Sequence, residues 1–209
     1  MFILNKFHPL HTKIIVFRCP HLKTMLLEQF LFSDKDRKFF LSLSEKRKKE
    51  FLGVRYALRH IGINMNLFYN EKRKPFLFPK GKYISLSHSF ELIAIAISYY
   101  HIGIDIEKLR KDKKIIKVRK KFIRNDESVF IHPNYEEDYL HIIWGIKESL
   151  YKLEGGPSSN FLTHYRVSPF CLKKDSRISC WIMKDSYSKR FSAFYRKIDD
   201  HYLVYIIDK

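Results

Sequence analysis

Residues 91–107 read ELIAIAISYYHIGIDIE, and no other stretch limits the fold as much. From 91 to 100 the apolar residues follow one another almost without a break, the signature of a central strand covered on both faces. Ile102, Ile104 and Ile106 then alternate with Gly103, Asp105 and Glu107, the period of two of a strand with one buried face. A turn near residues 99–101 would return the second run beside the first as its antiparallel neighbour. The same alternation sends Asp105 and Glu107 out of one face two residues apart, where bare carboxylates repel. A cation between them resolves that conflict.

Other segments take their places around this pair. TKIIVFR (12–18) reads as a first strand and residues 33–61 as helical, with Ser33 and Ser44 as caps. In the second of these helices Phe51, Val54, Leu58 and Ile61 mark one face, and Gly62 stops it. Residues 70–82 are turn-rich (Pro75, Pro79, Gly81), and YISLSHS (83–89) alternates as a strand running into a polar turn. Residues 108–124 carry ten Lys or Arg against Asp112 alone, with a stripe of Ile115, Val118, Phe122 and Ile123, which predicts a helix with a basic outer face. A second strong helix spans 139–153 and ends at Gly155 and Gly156. RVSPF, ISCWIM, FSAFYRK and HYLVYIID supply three or four antiparallel strands. Strand, helices, strands, helices, strands is an α+β order.

Bulk properties exclude several classes. With 209 residues, 45% hydrophobic and 16% aromatic, the chain is globular rather than disordered. Its cysteines, Cys19, Cys171 and Cys180, are odd in number and lack C-x-x-C spacing, which speaks against disulfide frameworks and zinc sites. Asn5, Lys6, His8 and Lys13 interrupt the N-terminal apolar residues, so neither a signal peptide nor a spanning helix is expected there. A cytoplasmic protein with no membrane partner is the expectation. The net charge of +18 suits an anionic partner, but compositional drift toward Lys, Ile, Asn, Phe and Tyr explains it equally well. A nucleic-acid binder would account for the charge, yet no recognisable reader motif is present and the acidic motifs would be left without a purpose.

A third acid lies in WGIKESLYK (144–152), where Glu148 and Lys152 share a helix face at i,i+4. Alone this pair reads as a surface ion pair worth a few tenths of a kcal/mol. Two carboxylates on a strand with a third on a helix are instead the hard oxygen ligands that Mg²⁺ takes, leaving its other positions to water and phosphate. No G-x-x-x-x-G-K occurs, and seven glycines provide no Gly-rich phosphate cradle.

The ordered triple SLSHS, GIDIE and WGIKESLYK resembles the 4′-phosphopantetheinyl transferase superfamily, whose signatures are S-H-S, G-[IV]-D-[IV]-E and W-x-x-K-E-[SA]-x-x-K. Length and upstream elements are similar to its longer, two-lobed (surfactin-synthetase-activating) class, and the likeness covers roughly residues 44–156. The resemblance implies two similar α+β lobes, each a small antiparallel sheet packed with helices, divided as 1–108 and 109–209, in a monomer with coenzyme A in the cleft. It implies transfer of the 4′-phosphopantetheine arm of coenzyme A to a serine of an acyl or peptidyl carrier protein, as in fatty acid biosynthesis, releasing adenosine 3′,5′-bisphosphate.

Carried over motif by motif, Asp105, Glu107 and Glu148 would hold Mg²⁺ or Mn²⁺. Glu148, or a metal-bound water, would take the serine proton, and Lys152 would neutralise or protonate the leaving phosphate. Ser87, His88, Lys74, Pro75, Arg55 and Lys46 would bind coenzyme A. Arg73 stands where the family's G-K-P segment has Gly, which bears on the backbone of that turn. In FIRNDE (122–127), Asp126 takes the position of an acid with a structural role. The basic 108–124 segment, through Lys113 and Lys117, would dock the acidic carrier protein. A superfamily member that has lost catalysis and acts by binding is the alternative.

Overall fold

The computed structural model describes residues 11–18, 34–63, 65–110, 114–155, 159–172 and 174–209. In chain order the elements are β1 (Thr12–Arg18), α1 (Asp34–Leu41), α2 (Glu45–His60), β2 (Asn66–Tyr69), β3 (Pro75–Phe78), β4 (Tyr83–Ser89), β5 (Leu92–Ser98) and β6 (His101–Lys108). There follow α3 (Lys114–Val118), α4 (Asn125–Ser128), α5 (Glu136–Glu154), β7 (Tyr165–Val167), β8 (Arg177–Lys184), β9 (Tyr187–Ile198) and β10 (His201–Asp208). The architecture is α+β, antiparallel sheets packed with helices, as the order of elements implied.

All seven residues of β5 are buried, and it is the middle strand of the sheet β1–β5–β4. Alternation divides its side chains between two cores. Ile93, Ile95 and Ile97 meet Val54, Ala57 and Leu58 of α2. Leu92, Ala94 and Ala96 face the other way, onto Ile102, Ile104, Ile106 and Leu203. The small alanines let the second sheet approach closely.

That second sheet has the order β6–β10–β9–β8–β7, with α5 packed on its opposite face through Leu140, Ile143, Ile146 and Leu150. Here the structure corrects the expected hairpin. β6 does not pair with β5; it pairs with β10, Asp105 opposite Val204 and Glu107 opposite Tyr202. The chain passes between sheets at residues 99–100, because the isoleucine face of β6 is buried against β5 rather than beside it. Both faces of β6 are therefore covered along most of its length, and Asp105 itself is only 4% exposed.

Two smaller differences have local causes. Within the turn-rich 70–82, Pro75 opens β3, which pairs with β2; a proline is tolerated at the first residue of a strand. Among its described residues the basic segment forms α3 and a 3₁₀ turn at Arg119–Lys121, and the β-branched Ile115, Ile116 and Val118 lower its helix preference. Ser33, Cys19 and Lys113 lie outside the described residues. No described helix is long and apolar enough to cross a membrane.

Candidate active site

Two glycines set how closely α5 can lie on the second sheet. A Cβ on Gly103 would fall 1.9 Å from the Ser149 carbonyl oxygen, and one on Gly145 would fall 2.6 Å from Val204 Cγ2. With neither present, α5 rests against β6 and β10, which brings Glu148 and Lys152 to the face of β6 that carries Asp105 and Glu107.

Lys152 Nζ donates to Asp105 Oδ1 at 2.8 Å, to Ser87 Oγ at 2.9 Å and to the Ile104 carbonyl at 3.0 Å. Its three donors are thereby used. Ser87 Oγ donates to Asp105 Oδ1 at 2.8 Å, and Ser89 Oγ donates to Glu107 Oε2 at 3.1 Å. Asp105 Oδ2 is buried and has no hydrogen-bond partner among the described residues. Burial, followed by the carboxylate of Asp105 and more weakly that of Glu107, pushes Glu148 up to about 7, against the opposing pull of Lys152. Glu107 is also raised, first by burial and then by Asp105.

Among the described residues, no three His, Cys, Asp or Glu side chains stand close enough to enclose a metal ion as placed. The donor set nevertheless fits a hard divalent cation. Asp105 Oδ2 is desolvated and lacks a donor, the Asp105 carboxylate raises the proton affinity of Glu107 and Glu148, and Mg²⁺ keeps several waters and needs few protein oxygens.

A basic group borders the acids. His88 Nε2 lies 3.0 Å from Glu50 Oε1 and 3.5 Å from an Arg47 guanidinium nitrogen. Burial holds His88 below its ordinary value, and the charges of Arg47, Lys46 and Lys152 act in the same direction, opposed by Glu50. Arg55 stacks 3.4 Å over the Phe51 ring and donates to the carbonyls of Phe51 and Leu67, tying α2 to β2. Lys74 Nζ donates to the Leu153 carbonyl at 3.0 Å, linking the β2–β3 hairpin to the end of α5. Burial lowers the Lys74 pKa. Arg73 has φ +60°, the left-handed conformation that explains the usual glycine there.

The structure thus brings Asp105, Glu107, Glu148, Lys152, Ser87 and His88 together, with Lys46 near His88. Ser87 was expected to face phosphate. Its hydroxyl instead donates to Asp105 and accepts from Lys152 and from the Ile106 N–H, which uses its whole capacity. Lys117 is exposed on α3.

Two residues with clear tasks escaped the sequence reading. Arg47, next to Lys46, is the cation that contacts His88. Lys147 is fully buried and bonds Glu127 Oε2 at 2.7 Å and the carbonyls of Phe122 and Phe161. Glu127, with its second oxygen on the Val167 N–H, is the structural acid of FIRNDE, while Asp126 sits at the surface with Arg124 and Arg166. Spacing carried the signal for Lys147, which falls in the apolar stripe four residues after Ile143 and three before Leu150.

A model of the 4′-phosphopantetheinyl transferase superfamily matches residues 101–206. Enterobactin synthase component D of Salmonella typhimurium is 32% identical over 117 residues, 53% of this chain and 50% of that protein. The 4′-phosphopantetheinyl transferase of Bacillus subtilis is 32% identical over 129 residues, 59% of this chain and 54% of its own. A second transferase of that name, from Aneurinibacillus migulanus, is 31% identical over 112 residues, covering 51% and 46%. The chain spans about half the length of the curated relatives it matches.

Proposed function

The chain belongs to the 4′-phosphopantetheinyl transferase superfamily, and we propose that it moves the 4′-phosphopantetheine arm of coenzyme A onto a serine of an acyl or peptidyl carrier protein. One observation carries this reading: Asp105 and Glu107 of β6 meet Glu148 and Lys152 of α5, so that the two acidic motifs form one electrostatic unit.

In this proposal Asp105, Glu107 and Glu148 hold Mg²⁺, with Mn²⁺ as a substitute. When bound, the cation supplies charge stabilisation to the pyrophosphate oxygens. Glu148 accepts the proton of the attacking serine hydroxyl, directly or through a water. The serine oxygen bonds to the pantetheine-bearing phosphorus, and the bond from that phosphorus to the bridging oxygen breaks. Adenosine 3′,5′-bisphosphate leaves with the electron pair. Lys152 Nζ, already on Asp105, neutralises the charge that the leaving phosphate gains.

His88, with Lys46 and Arg47, faces the nucleotide phosphates, and Lys74–Pro75 and Arg55 border the nucleotide from the hairpin and α2. Ser87 serves the carboxylate side of the site. The lobes are read as 1–108 and 109–209 in a monomer; β6, which closes the first by this division, is laddered to β10 of the second and forms the seam between them. A cytoplasmic location belongs to the same reading.

Incubation with coenzyme A, Mg²⁺ and several apo carrier proteins, followed by intact-mass spectrometry, tests it. The carrier is expected to gain the phosphopantetheine arm. Folded protein that modifies none of them contradicts the proposal.

A further inference from the structure

The seam between the two sheets is built from serine side chains. Ser85, Ser87 and Ser89 alternate along β4, and each hydroxyl accepts from a backbone N–H of β6: Ile104 at 3.1 Å, Ile106 at 3.2 Å and Lys108 at 3.1 Å. These N–H groups point away from β10 and would otherwise be the open edge of a sheet. A hydroxyl has one proton left after accepting, and its use differs along the row. Ser87 gives it to Asp105 and Ser89 gives it to Glu107. For Ser85 the described bonds include the N–H of Ile104 and no carboxylate.

We propose that Ser87 and Ser89 are positioning residues for the divalent cation, each fixing one oxygen of a β6 carboxylate so that the other is presented to the ion. The proposal rests on the transferase reading of the site and deepens it. For Asp105 the result is visible, since Oδ1 is held by Ser87 and Lys152 while Oδ2 is buried without a partner. Ser89 does for Glu107 what no other described hydrogen bond does. Because the proton donor to each carboxylate is also the acceptor for the adjoining backbone N–H, the ligands are indexed to the strand itself. Partners that orient metal ligands in this way typically influence affinity 10–100-fold.

Ser85 supplies the internal control. Ser85→Ala and Ser89→Ala each remove one backbone tie between the sheets, but only Ser89→Ala frees a carboxylate. Mn²⁺ titration followed by the electron paramagnetic resonance of the free ion, alongside thermal unfolding, separates the two effects. Both variants are expected to lower the melting temperature similarly, while Ser89→Ala alone weakens Mn²⁺ binding about 10-fold. Should Ser89→Ala not fold, Ser89→Cys keeps the side-chain shape at a slightly larger volume and exchanges a strong donor for a weak one, with the same expected loss. Equal Mn²⁺ affinity in wild type and the Ser89 variant, or an equal loss in Ser85→Ala, overturns the proposal while leaving the transferase reading intact. Wild-type protein that binds no Mn²⁺ overturns both.

Discussion

Asp105 has one oxygen shared between an ammonium and a hydroxyl and a second that is buried with no hydrogen-bond partner among the described residues, in a setting nearly closed to water. Leaving a buried acceptor unmet costs about 1–3 kcal/mol, so the arrangement is a destabilised one that a cation would relieve. Glu148 registers the same strain as a raised proton affinity. Its pKa moves from 4.5 to about 7, so between those values the folded protein holds a proton that the unfolded chain has released. Stability from this group is full below about pH 4.5 and is lost as pH rises through 7, by about 3 kcal/mol. Urea unfolding of metal-free protein at pH 5 and pH 8 measures the loss, and saturating Mg²⁺ is expected to reduce it by favouring the ionised carboxylate. Lys147 shows the opposite case, a buried charge fully paired. Lys147→Met leaves Glu127 unpaired in the core and should cost about 3–5 kcal/mol, against less than about 1 kcal/mol for Asp126→Asn at the surface. Similar losses in the two variants would contradict that assignment. The burial of Lys147 was encoded in its i−4 and i+3 apolar neighbours, but a lysine beside Glu148 in a charged motif reads as solvated until the packing partners are known.

At the scale of elements, β6 is the piece on which the site depends. β10 holds it by backbone bonds, β4 by serine hydroxyls, β5 by apolar packing and α5 by close contact at Gly103. Gly103→Ala puts a methyl group 1.9 Å from the Ser149 carbonyl oxygen, and backbone must move to admit it. Displacing α5 separates Glu148 and Lys152 from Asp105. The expected outcome is a loss of transfer activity of at least 100-fold, out of proportion to the fall in melting temperature, since misplacement of about 1 Å can cost that much. Unchanged activity would show that α5 has slack over β6. The strand spans 12–18 and 83–89 were fully legible, because a short β-branched apolar run in the first and period-two alternation in the second are local information. The partner of β6 was not. Alternation marks one face of β6 as buried without saying which strand pairs along its edge, and β10 lies about a hundred residues downstream. The row Ser85, Ser87, Ser89 was legible as one strand face but not as a seam, since its acceptor role depends on which strand lies alongside.

For the whole molecule, two sheets packed through Ala94, Ala96 and the isoleucines of β6 place the serine row, the hairpin lysine and the acids along one boundary. The chain as a whole carries a net charge of +18. Exposed Lys117, with Lys113 four residues before it, belongs to the proposed carrier-docking face. Changing both to Glu should raise KM for the carrier protein more than for coenzyme A, increasingly so at low salt. Equal effects on the two substrates would remove that face from the account.

The central claim is that Asp105, Glu107 and Glu148 act as one cation-binding unit in phosphopantetheine transfer. Its most direct measurement is the rate of Mg²⁺-dependent modification of an apo carrier protein by Asp105→Ala, followed by intact mass, with circular dichroism confirming the fold. Transfer should be abolished in a folded variant. Transfer at or near the wild-type rate would contradict it.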